Sequence, residues 1–296
     1  MNGNLKKYKP LVSIIMTCFN NANTLRDSIS SVINQSYSNW ELIFIDDGST
    51  DHSLKIASQI SDNRIKIFPL KKNYGRGVSY QNGLNQANGD FIMFLDSDDW
   101  WYSNKIIKQL NYLKKNKNVM FVGSGLITTE NYNPIGVRCN KVYSNTFNKD
   151  FINPPLGFAT ICLKREIISK YSFDKKLKVA QDIDFLRTLC MNEIFSNISD
   201  ILYVYNESNS FNWLKIKNAL KNTKIGIKKY KNFFLLDCYI NLIKINLKIF
   251  IYFILFSLKL EKLLLYFRVK APSKKDLKLY EREKNMMLET RSKFFK

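Results

Sequence analysis

The first hundred residues alternate between short β-rich apolar runs and segments with helical periodicity, and this alternation limits the fold more than any other feature. Four apolar runs predict buried strands: residues 11–16, 40–45, 65–68 and 91–95. Between the first two runs, apolar residues recur at helical spacing, at Leu25, Ile29, Val32 and Ile33. Strands that alternate with helices predict an α/β fold with a mostly parallel sheet flanked by helices.

Polar side chains follow three of the predicted strands at the point where each strand ends. They are Thr17 and Asn20 after the first strand, Asp46 and Asp47 after the second, and Asp96, Asp98 and Asp99 after the fourth. Ligands of such sheets bind beyond the carboxyl ends of the strands. Clustered carboxylates repel one another, so we expect a cation among them. Hard oxygen ligands without histidine favour Mg²⁺ or Mn²⁺.

Each of these motifs has a purely structural alternative. Residues 47–51 (DGSTD) also suit a turn followed by a helix cap, and a single Asp-x-Asp pattern is weak evidence of a metal site. The aromatic pair Trp100 and Trp101 suits core packing as well as it suits ligand binding. The next helix is predicted to start behind a Ser103 cap.

Composition excludes several other kinds of site. The five cysteines include no CxxC pair and His52 is the only histidine, which argues against a zinc site, a disulfide framework and a Ser/His/Asp triad. The first ten residues are polar and basic, and the apolar run that follows is too short for a signal peptide. A reducing cytoplasm is therefore the expected location.

Positive charge is concentrated towards the end of the chain. Residues 212–296 hold 21 lysines and arginines against 6 acidic residues, or +15 of the total formal charge of +21. These lysines alternate with aliphatic runs such as residues 249–258, which suits an anionic membrane surface better than nucleic acid. That run has ten residues, whereas a spanning helix needs about 20. We expect an α/β domain over residues 1–211 and a lysine-rich helical extension over 212–296 that lies on a membrane; packing of the extension on protein is the alternative.

Five segments together resemble a known family. They are residues 10–20 (PLVSIIMTCFN), 40–51 (WELIFIDDGSTD), 73–77 (NYGRG), 89–101 (GDFIMFLDSDDWW) and 179–187 (VAQDIDFLR). Their order and spacing resemble the bacterial inverting glycosyltransferases of family 2, which have the GT-A fold with a Rossmann-like sheet. The resemblance covers residues 10–205. It is strongest to transferases that build capsules, O-antigens, colanic acid and teichuronic acid.

The resemblance implies a nucleotide-sugar donor with uridine as the expected base. Thr17 and Asp47 match positions that contact the nucleobase in this family, and Asn20 and Asp46 lie beside them in the sequence. Asp96 matches the ribose-side acid of the family's DxD motif.

The resemblance also implies a metal ligand and a catalytic base. Asp98 matches the metal-bound acid, with Asp99 as an additional candidate, and Asp182 matches the base, followed by a matching basic residue, Arg187. The chemistry agrees, because a leaving diphosphate needs its developing charge neutralised and an acceptor hydroxyl needs a carboxylate to take its proton. Asp184 is the rival base and would face away from Asp182 on a helix.

Two positions depart from the family's usual pattern. Tyr80 and Gln81 stand where many relatives have Arg-Asn, so a diphosphate-side arginine is missing, and Arg76 is the candidate to replace it. Gln181 stands where glutamate is commoner, which changes the surroundings of the base.

The resemblance implies transfer of one sugar per visit, because the chain has no Gln-x-x-Arg-Trp motif of processive synthases. The expected acceptor is a glycan or an undecaprenyl-linked oligosaccharide at the inner face of the cytoplasmic membrane, and single displacement would invert the anomeric centre. Two other functions stay open, an inactive nucleotide-sugar-binding scaffold and a nucleotidyltransferase. The latter should carry an N-terminal Gly-rich phosphate loop, and residues 11–24 contain no glycine. The oligomeric state is also open.

Overall fold

A computed structural model describes residues 9–146, 154–174, 177, 179–207, 213–229 and 235–295. The strands within this part of the chain form one mixed sheet: β1 Val12–Cys18, β2 Trp40–Asp46, β3 Ile65–Pro69, β4 Phe91–Asp96, β5 Trp100–Trp101, β6 Phe121–Glu130, β7 Asn133–Arg138, β8 Tyr143–Thr146, β9 Cys162–Lys164 and β10 Phe195–Asn206. The helices are α1 Leu25–Ile33, α2 Ser53–Ser58, α3 Arg76–Gln86, α4 Lys105–Lys115, α5 Gln181–Asn192, α6 Trp213–Lys228, α7 Leu235–Ser257, α8 Leu263–Arg268 and α9 Lys274–Phe294.

The first half of the sheet confirms the predicted parallel arrangement. The strand order is β3-β2-β1-β4-β9-β6-β10-β5, and β3, β2, β1 and β4 are mutually parallel. Every residue of β1 and of β2 is buried, because helices cover both faces of the sheet and form one apolar core on each. All four predicted strands are present, each one or two residues longer at its C-terminal end than the apolar run.

The second half of the sheet is mixed and returns the chain to the end of β4. The short strand β9 runs antiparallel between β4 and β6, and β10 runs parallel to β6. Tyr203 on β10 pairs with Trp101 on β5. Both Trp100 and Trp101 are buried in apolar clusters, so of the two alternatives for this pair the structure supports core packing.

The last helix, α9, packs on the α/β domain. Its Tyr280 and Met287 are fully buried, and the Tyr280 ring lies 5.7 Å from the ring of Trp100. The buried carboxylate of Glu283 accepts a hydrogen bond from the Ser103 amide at 2.7 Å. The predicted Ser103 cap is therefore wrong: α4 has Asn104 as its N-cap residue, without a side-chain cap, and the Ser103 amide is held by a distant helix instead.

Helices α6 and α7 form a hairpin against α5. Gly226 of α6 allows a close approach, because a Cβ there would lie 2.8 Å from Oδ1 of Asp184. One stripe of α7 is buried: Cys238 and Ile245 pack against α6 and α5, and Tyr252 continues the stripe beside Arg268 of α8. These residues recur every seven positions, the spacing of one face of a helix.

Helix α7 is longer than the apolar run within it predicted. It has 23 residues and, by length and composition alone, it is apolar enough to cross a bilayer. Its most apolar stretch has mean hydropathy 1.7, and only 17% of that stretch is buried. Ile243, Leu247 and Phe250, opposite the buried stripe, are 66%, 57% and 60% exposed. A helix that is apolar on both its packed and its open faces is unusual for a surface helix of a soluble protein.

Candidate active site

The register of three adjacent strands brings the predicted polar residues to one edge of the sheet. Thr17 is the partner of Asp96 on β4 on one side and of Ile45 on β2 on the other, and Cys18 is the partner of Asp46. Because β1, β2 and β4 are parallel, their carboxyl ends form a common edge. The strand ends that carry Thr17, Asp46 and Asp96 therefore lie side by side at this edge, as the order of strands and polar residues in the sequence predicts.

The loop after β1 is tied to the neighbouring loops by Asn20 and Asn21. Asn20 has a left-handed backbone (φ 56°), and its side-chain oxygen accepts from the Thr50 amide at 2.8 Å. The Asn21 side chain donates to Ser97 Oγ at 2.7 Å. Asn20 therefore orders the loop beside the strand ends, a structural role that sequence reasoning did not anticipate.

The two aspartates that follow β2 are both buried but are bonded differently. Asp47 accepts from the amides of Tyr74 and Gly75, at 2.8 and 3.0 Å, and so fixes the loop that leads into α3. Asp46 accepts from the Ser49 amide at 3.1 Å through Oδ2, whereas its buried Oδ1 has no hydrogen-bond partner among the described residues. A buried acceptor without a donor is costly unless a ligand supplies the donor.

Three carboxylates converge after β4. Oxygens of Asp96, Asp98 and Asp99 all lie within 4.8 Å of one another. Asp99 is the buried member, held by the Tyr203 hydroxyl at 2.7 Å and the Asn206 amide at 2.8 Å. Burial raises the pKa of the Asp99 carboxyl well above its usual range, and the charges of Asp98 and Asp96 raise it further. A divalent cation would relieve this repulsion.

The donor set of this cluster fits Mg²⁺ or Mn²⁺. The ligand atoms are hard carboxylate oxygens, and these are the ligands that both ions prefer. Asp99 already accepts one protein hydrogen bond on each oxygen, so it is better suited to supporting the cluster than to being its main ligand. Asp96 and Asp98 are less buried than Asp99.

Arg76 and Tyr80 lie one helical turn apart on α3, and both reach Asp96. The Tyr80 hydroxyl donates to Asp96 Oδ1 at 2.5 Å, and Arg76 Nη1 lies 3.8 Å from Asp96 Oδ2. Tyr80 is fully buried among aromatic rings, whereas the Arg76 side chain is half exposed. The charge of Asp96 raises the pKa of Arg76, with smaller contributions from Tyr80, Asp182 and Asp98. The Arg76 guanidinium is therefore under the influence of both the acidic cluster and Asp182.

Asp182 lies on the first turn of α5, and the start of α5 packs against the start of α3, which carries Arg76. Gly77 makes the approach of α3 and α5 possible, because a Cβ there would lie 2.9 Å from Cγ of Gln181. Burial raises the pKa of Asp182; Arg76 opposes this shift and Asp96 adds to it. The raised pKa makes this carboxylate a better proton acceptor than an exposed aspartate.

The two candidate bases face different cavities on opposite sides of α5. Asp182 lines a cavity of about 430 Å³ between α5 and the α6–α7 hairpin. Asp184 lines a separate open cleft of about 640 Å³, where Arg187 lies 3.2 Å away and Lys229 lies 2.7 Å away. The residues that line the larger cleft include none of the three aspartates of the acidic cluster. Both oxygens of Asp184 are already paired with cationic side chains. The expectation that Asp184 faces away from Asp182 is confirmed.

Sequence reasoning missed the residues that hydrogen-bond to the acidic cluster but lie far from it in the sequence. Tyr203 and Asn206 on β10 follow Asp99 by more than a hundred positions, and Tyr80 had appeared only as a departure from the family. Such partners leave no local pattern. Only the pairing of β10 with β5, which starts one residue after Asp99, brings them together.

Two relatives of known sequence are similar over much of the chain. An uncharacterized glycosyltransferase of Haemophilus influenzae is 35% identical over 253 residues, which cover 79% of this chain and 98% of the relative. The Escherichia coli UDP-Glc:alpha-D-GlcNAc-diphosphoundecaprenol beta-1,3-glucosyltransferase WfgD is 38% identical over 165 residues, 55% of this chain and 64% of that protein.

A solved structure shares the fold at low identity. The mannosyltransferase PcManGT from Pyrobaculum calidifontis, in complex with GDP-Man and Mn²⁺, superposes with a TM-score of 0.58 and 15% identity over 76% of this chain and 65% of that chain. The family model "Glycosyl transferase family 2" matches residues 13–171, which hold the strand edge and the acidic cluster. The chain therefore belongs to glycosyl transferase family 2 and is a glycosyltransferase of the GT-A fold.

Proposed function

We propose that this glycosyltransferase moves one sugar per visit from a UDP-sugar, with inversion and with a divalent metal, to a glycan or lipid-linked oligosaccharide in bacterial surface polysaccharide synthesis. The observation that carries the proposal is the approach of three charged groups where the end of β4, the start of α3 and the start of α5 meet. These are the acidic cluster of Asp96, Asp98 and Asp99, the cation of Arg76, and the carboxylate of Asp182. Together they match the needs of a displacement at an anomeric carbon.

The nucleoside is proposed to bind over the ends of β1 and β2. Thr17, Asn20, Asp46 and Asp47 surround this position, and the unpartnered Oδ1 of Asp46 is an acceptor suited to an N–H of the base. Asp96 would face the ribose. The name of WfgD includes UDP-Glc as its donor, which favours uridine here.

The metal is proposed to be held by Asp98, with Asp99 beside it. When bound, a divalent cation supplies electrostatic stabilisation to the leaving diphosphate. Arg76, which lies beside Asp96, contributes a second positive charge. It takes the place of the arginine that many relatives carry at the position of Tyr80.

Asp182 is proposed to accept the proton of the acceptor hydroxyl as the hydroxyl attacks the anomeric carbon. One displacement from the face opposite the leaving group inverts the configuration. Its position on the cavity between α5 and the α6–α7 hairpin and its raised pKa favour this role over Asp184, whose two oxygens are ion-paired in another cleft.

The enzyme is proposed to work at the inner face of the cytoplasmic membrane, with α7 lying in the interface. A spanning α7 would carry Lys244 and Lys248 near the bilayer centre, at about 2.5–3.5 kcal/mol each. Its Cys238 and Ile245 also pack on α5 and α6. An in-plane helix keeps this packing and still buries its open apolar face in lipid. Because α9 packs on the α/β domain, the membrane role within residues 212–296 falls to the α6–α7 hairpin and α8.

The proposed function is tested by a screen of nucleotide sugars for metal-dependent hydrolysis, followed by calorimetry with UDP. We expect UDP to bind with Mn²⁺ or Mg²⁺ and to bind weakly in a chelator. In Asp98→Ala the difference between the two conditions should disappear. Asp90→Ala, on the loop before β4, is the matched control and should keep the metal dependence. Equally tight UDP binding by the wild type in the chelator would refute the metal proposal.

A further inference from the structure

The cavity beside Asp182 is lined both by this proposed base and by two lysines of α7. Helix α5 contributes Asp182 to its lining, and α7 contributes Asn241, Lys244 and Lys248. Its volume of about 430 Å³ is large enough for a sugar residue with part of its substituent. Apolar side chains that include Leu156 and Leu186 complete the wall.

The lysines of this cavity stand between its interior, where the polar groups Asp182 and Asn241 lie among apolar side chains, and the open apolar face of α7. Both are exposed, although each lines the cavity. Residues three and four positions apart are neighbours on a helix surface. Ile240 and Leu247 therefore flank Lys244, Ile251 flanks Lys248, and these three apolar side chains are 40%, 57% and 44% exposed. Two cationic groups thus lie between the cavity that holds Asp182 and a lipid-compatible surface.

We propose that this cavity binds an amphiphilic acceptor whose sugar is joined to a lipid through a phosphate or diphosphate. Lys244 and Lys248 hold the anionic linkage, the lipid lies along the open face at Ile240, Leu247 and Ile251, and the sugar enters the cavity towards Asp182. In this arrangement the anionic linkage meets cationic groups and the lipid meets an apolar surface. This inference rests on the proposed role of Asp182 as the base.

A free glycan does not make use of these features. A neutral oligosaccharide has no group for two ammonium ions and no apolar part for the open face of α7. An inorganic anion would use the lysines alone. The combination of a cavity, a cationic border and an apolar track therefore favours a lipid-linked anion over either of these ligands.

The test uses farnesyl diphosphate as a probe of the linkage and the lipid, in the full-length protein with saturating UDP and Mn²⁺. UDP fills the nucleotide site, so binding measured by calorimetry reports a second site. We expect the wild type to bind farnesyl diphosphate more tightly than farnesol or inorganic diphosphate. The double variant Lys244→Gln/Lys248→Gln should bind it at least about tenfold more weakly, because two charge-assisted contacts are lost.

Two further variants distinguish binding in the cavity from attraction by the overall positive charge of the protein. Lys221→Gln/Lys228→Gln removes the same charge from exposed positions of α6 outside the cavity lining and should leave binding unchanged. Asn241→Trp fills the cavity without changing its charge and should weaken binding.

Several results would overturn the proposal. They are no binding by the wild type, equal losses in both lysine pairs, unchanged binding in Lys244→Gln/Lys248→Gln, or inorganic diphosphate bound as tightly as farnesyl diphosphate. UDP affinity with Mn²⁺ is measured for each variant in the same series. A wild type that binds UDP normally but does not bind farnesyl diphosphate refutes this inference alone, whereas a wild type that does not bind UDP refutes the proposed function.

Discussion

Asp182 and Asp184 are two residues apart, yet their surroundings predict opposite effects of the same substitution. Asp182→Asn removes the proposed proton acceptor and keeps its shape, so transfer should fall by about 10²–10⁴-fold while UDP binding persists. Asp184→Asn removes a carboxylate that is ion-paired with Arg187 and Lys229, so it should lower stability more than the rate per folded molecule.

Both variants are compared by transfer kinetics and by urea unfolding. If transfer by Asp182→Asn stays within a few fold of the wild type and Asp184→Asn is well folded but inactive, the two residues have been assigned the wrong roles.

Arg76 offers a second prediction at the scale of single residues. Its guanidinium lies beside Asp96 at the edge where the diphosphate is proposed to bind, so Arg76→Gln should weaken UDP binding by about tenfold or more, the effect of one charge-assisted contact. Uridine binding should hardly change, because uridine has no diphosphate. Calorimetry with both ligands measures the difference.

The matched control for Arg76 is Arg64→Gln. Arg64 pairs with Asp62 before β3, away from the acidic cluster, and its loss should not affect UDP. A parallel loss of uridine and UDP affinity in Arg76→Gln would indicate a role in folding the site rather than in binding the diphosphate.

Helix α9 lies in the lysine-rich segment, and its contacts predict that it stabilises the fold. Glu283 is buried and accepts from the Ser103 amide, which lies 180 positions earlier in the chain. Glu283→Gln removes a charged acceptor from a buried donor and should lower the free energy of unfolding by about 1–3 kcal/mol. Glu289→Gln, at an exposed position of the same helix, is the control and should change it by less than about 0.5 kcal/mol. Equal midpoints of urea unfolding in the two variants would mean that α9 contributes little to the domain.

The molecule as a whole is predicted to bind anionic vesicles through the open face of α7. Each apolar side chain moved from water into lipid contributes about 1.5–3 kcal/mol, and basic residues near an anionic surface add about 1 kcal/mol each. The triple variant Ile243→Ser/Leu247→Ser/Phe250→Ser should therefore reduce co-sedimentation with anionic vesicles by at least about 100-fold in partition coefficient. Deletion of residues 212–296 is a poorer test, because it also removes the packed helix α9.

The control for vesicle binding is Val142→Ser, at an exposed apolar position away from α7. Binding of the wild type should weaken as salt rises, since part of it is electrostatic. A wild type that stays in the supernatant with anionic vesicles at low salt would leave the open face of α7 to a protein partner.

The sequence by itself determined the parallel half of the sheet and the residues at its edge. Strand periodicity and the polar residues that end each strand are local properties, so β1, β2, β3 and β4 could be predicted from them. The sequence did not determine which carboxylates have partners, because Tyr203 reaches Asp99 through the pairing of β10 with β5. The orientation of Asp182 and Asp184 followed from helical geometry, but only the tertiary structure placed Lys229 at one of them.

The lysine-rich helices illustrate the same limit more sharply. Helices α7 and α9 both belong to the lysine-rich segment 212–296, yet α9 is fixed to the domain by Tyr280, Glu283 and Met287, and α7 leaves an apolar face open. The hydrophobic pattern of a helix indicates which face must be buried, but not which residues cover that face. The surface that covers α9 is formed by residues more than a hundred positions away, such as Trp100 and Ser103, and so only the tertiary structure decided that α9 packs on the domain while α7 keeps an apolar face open.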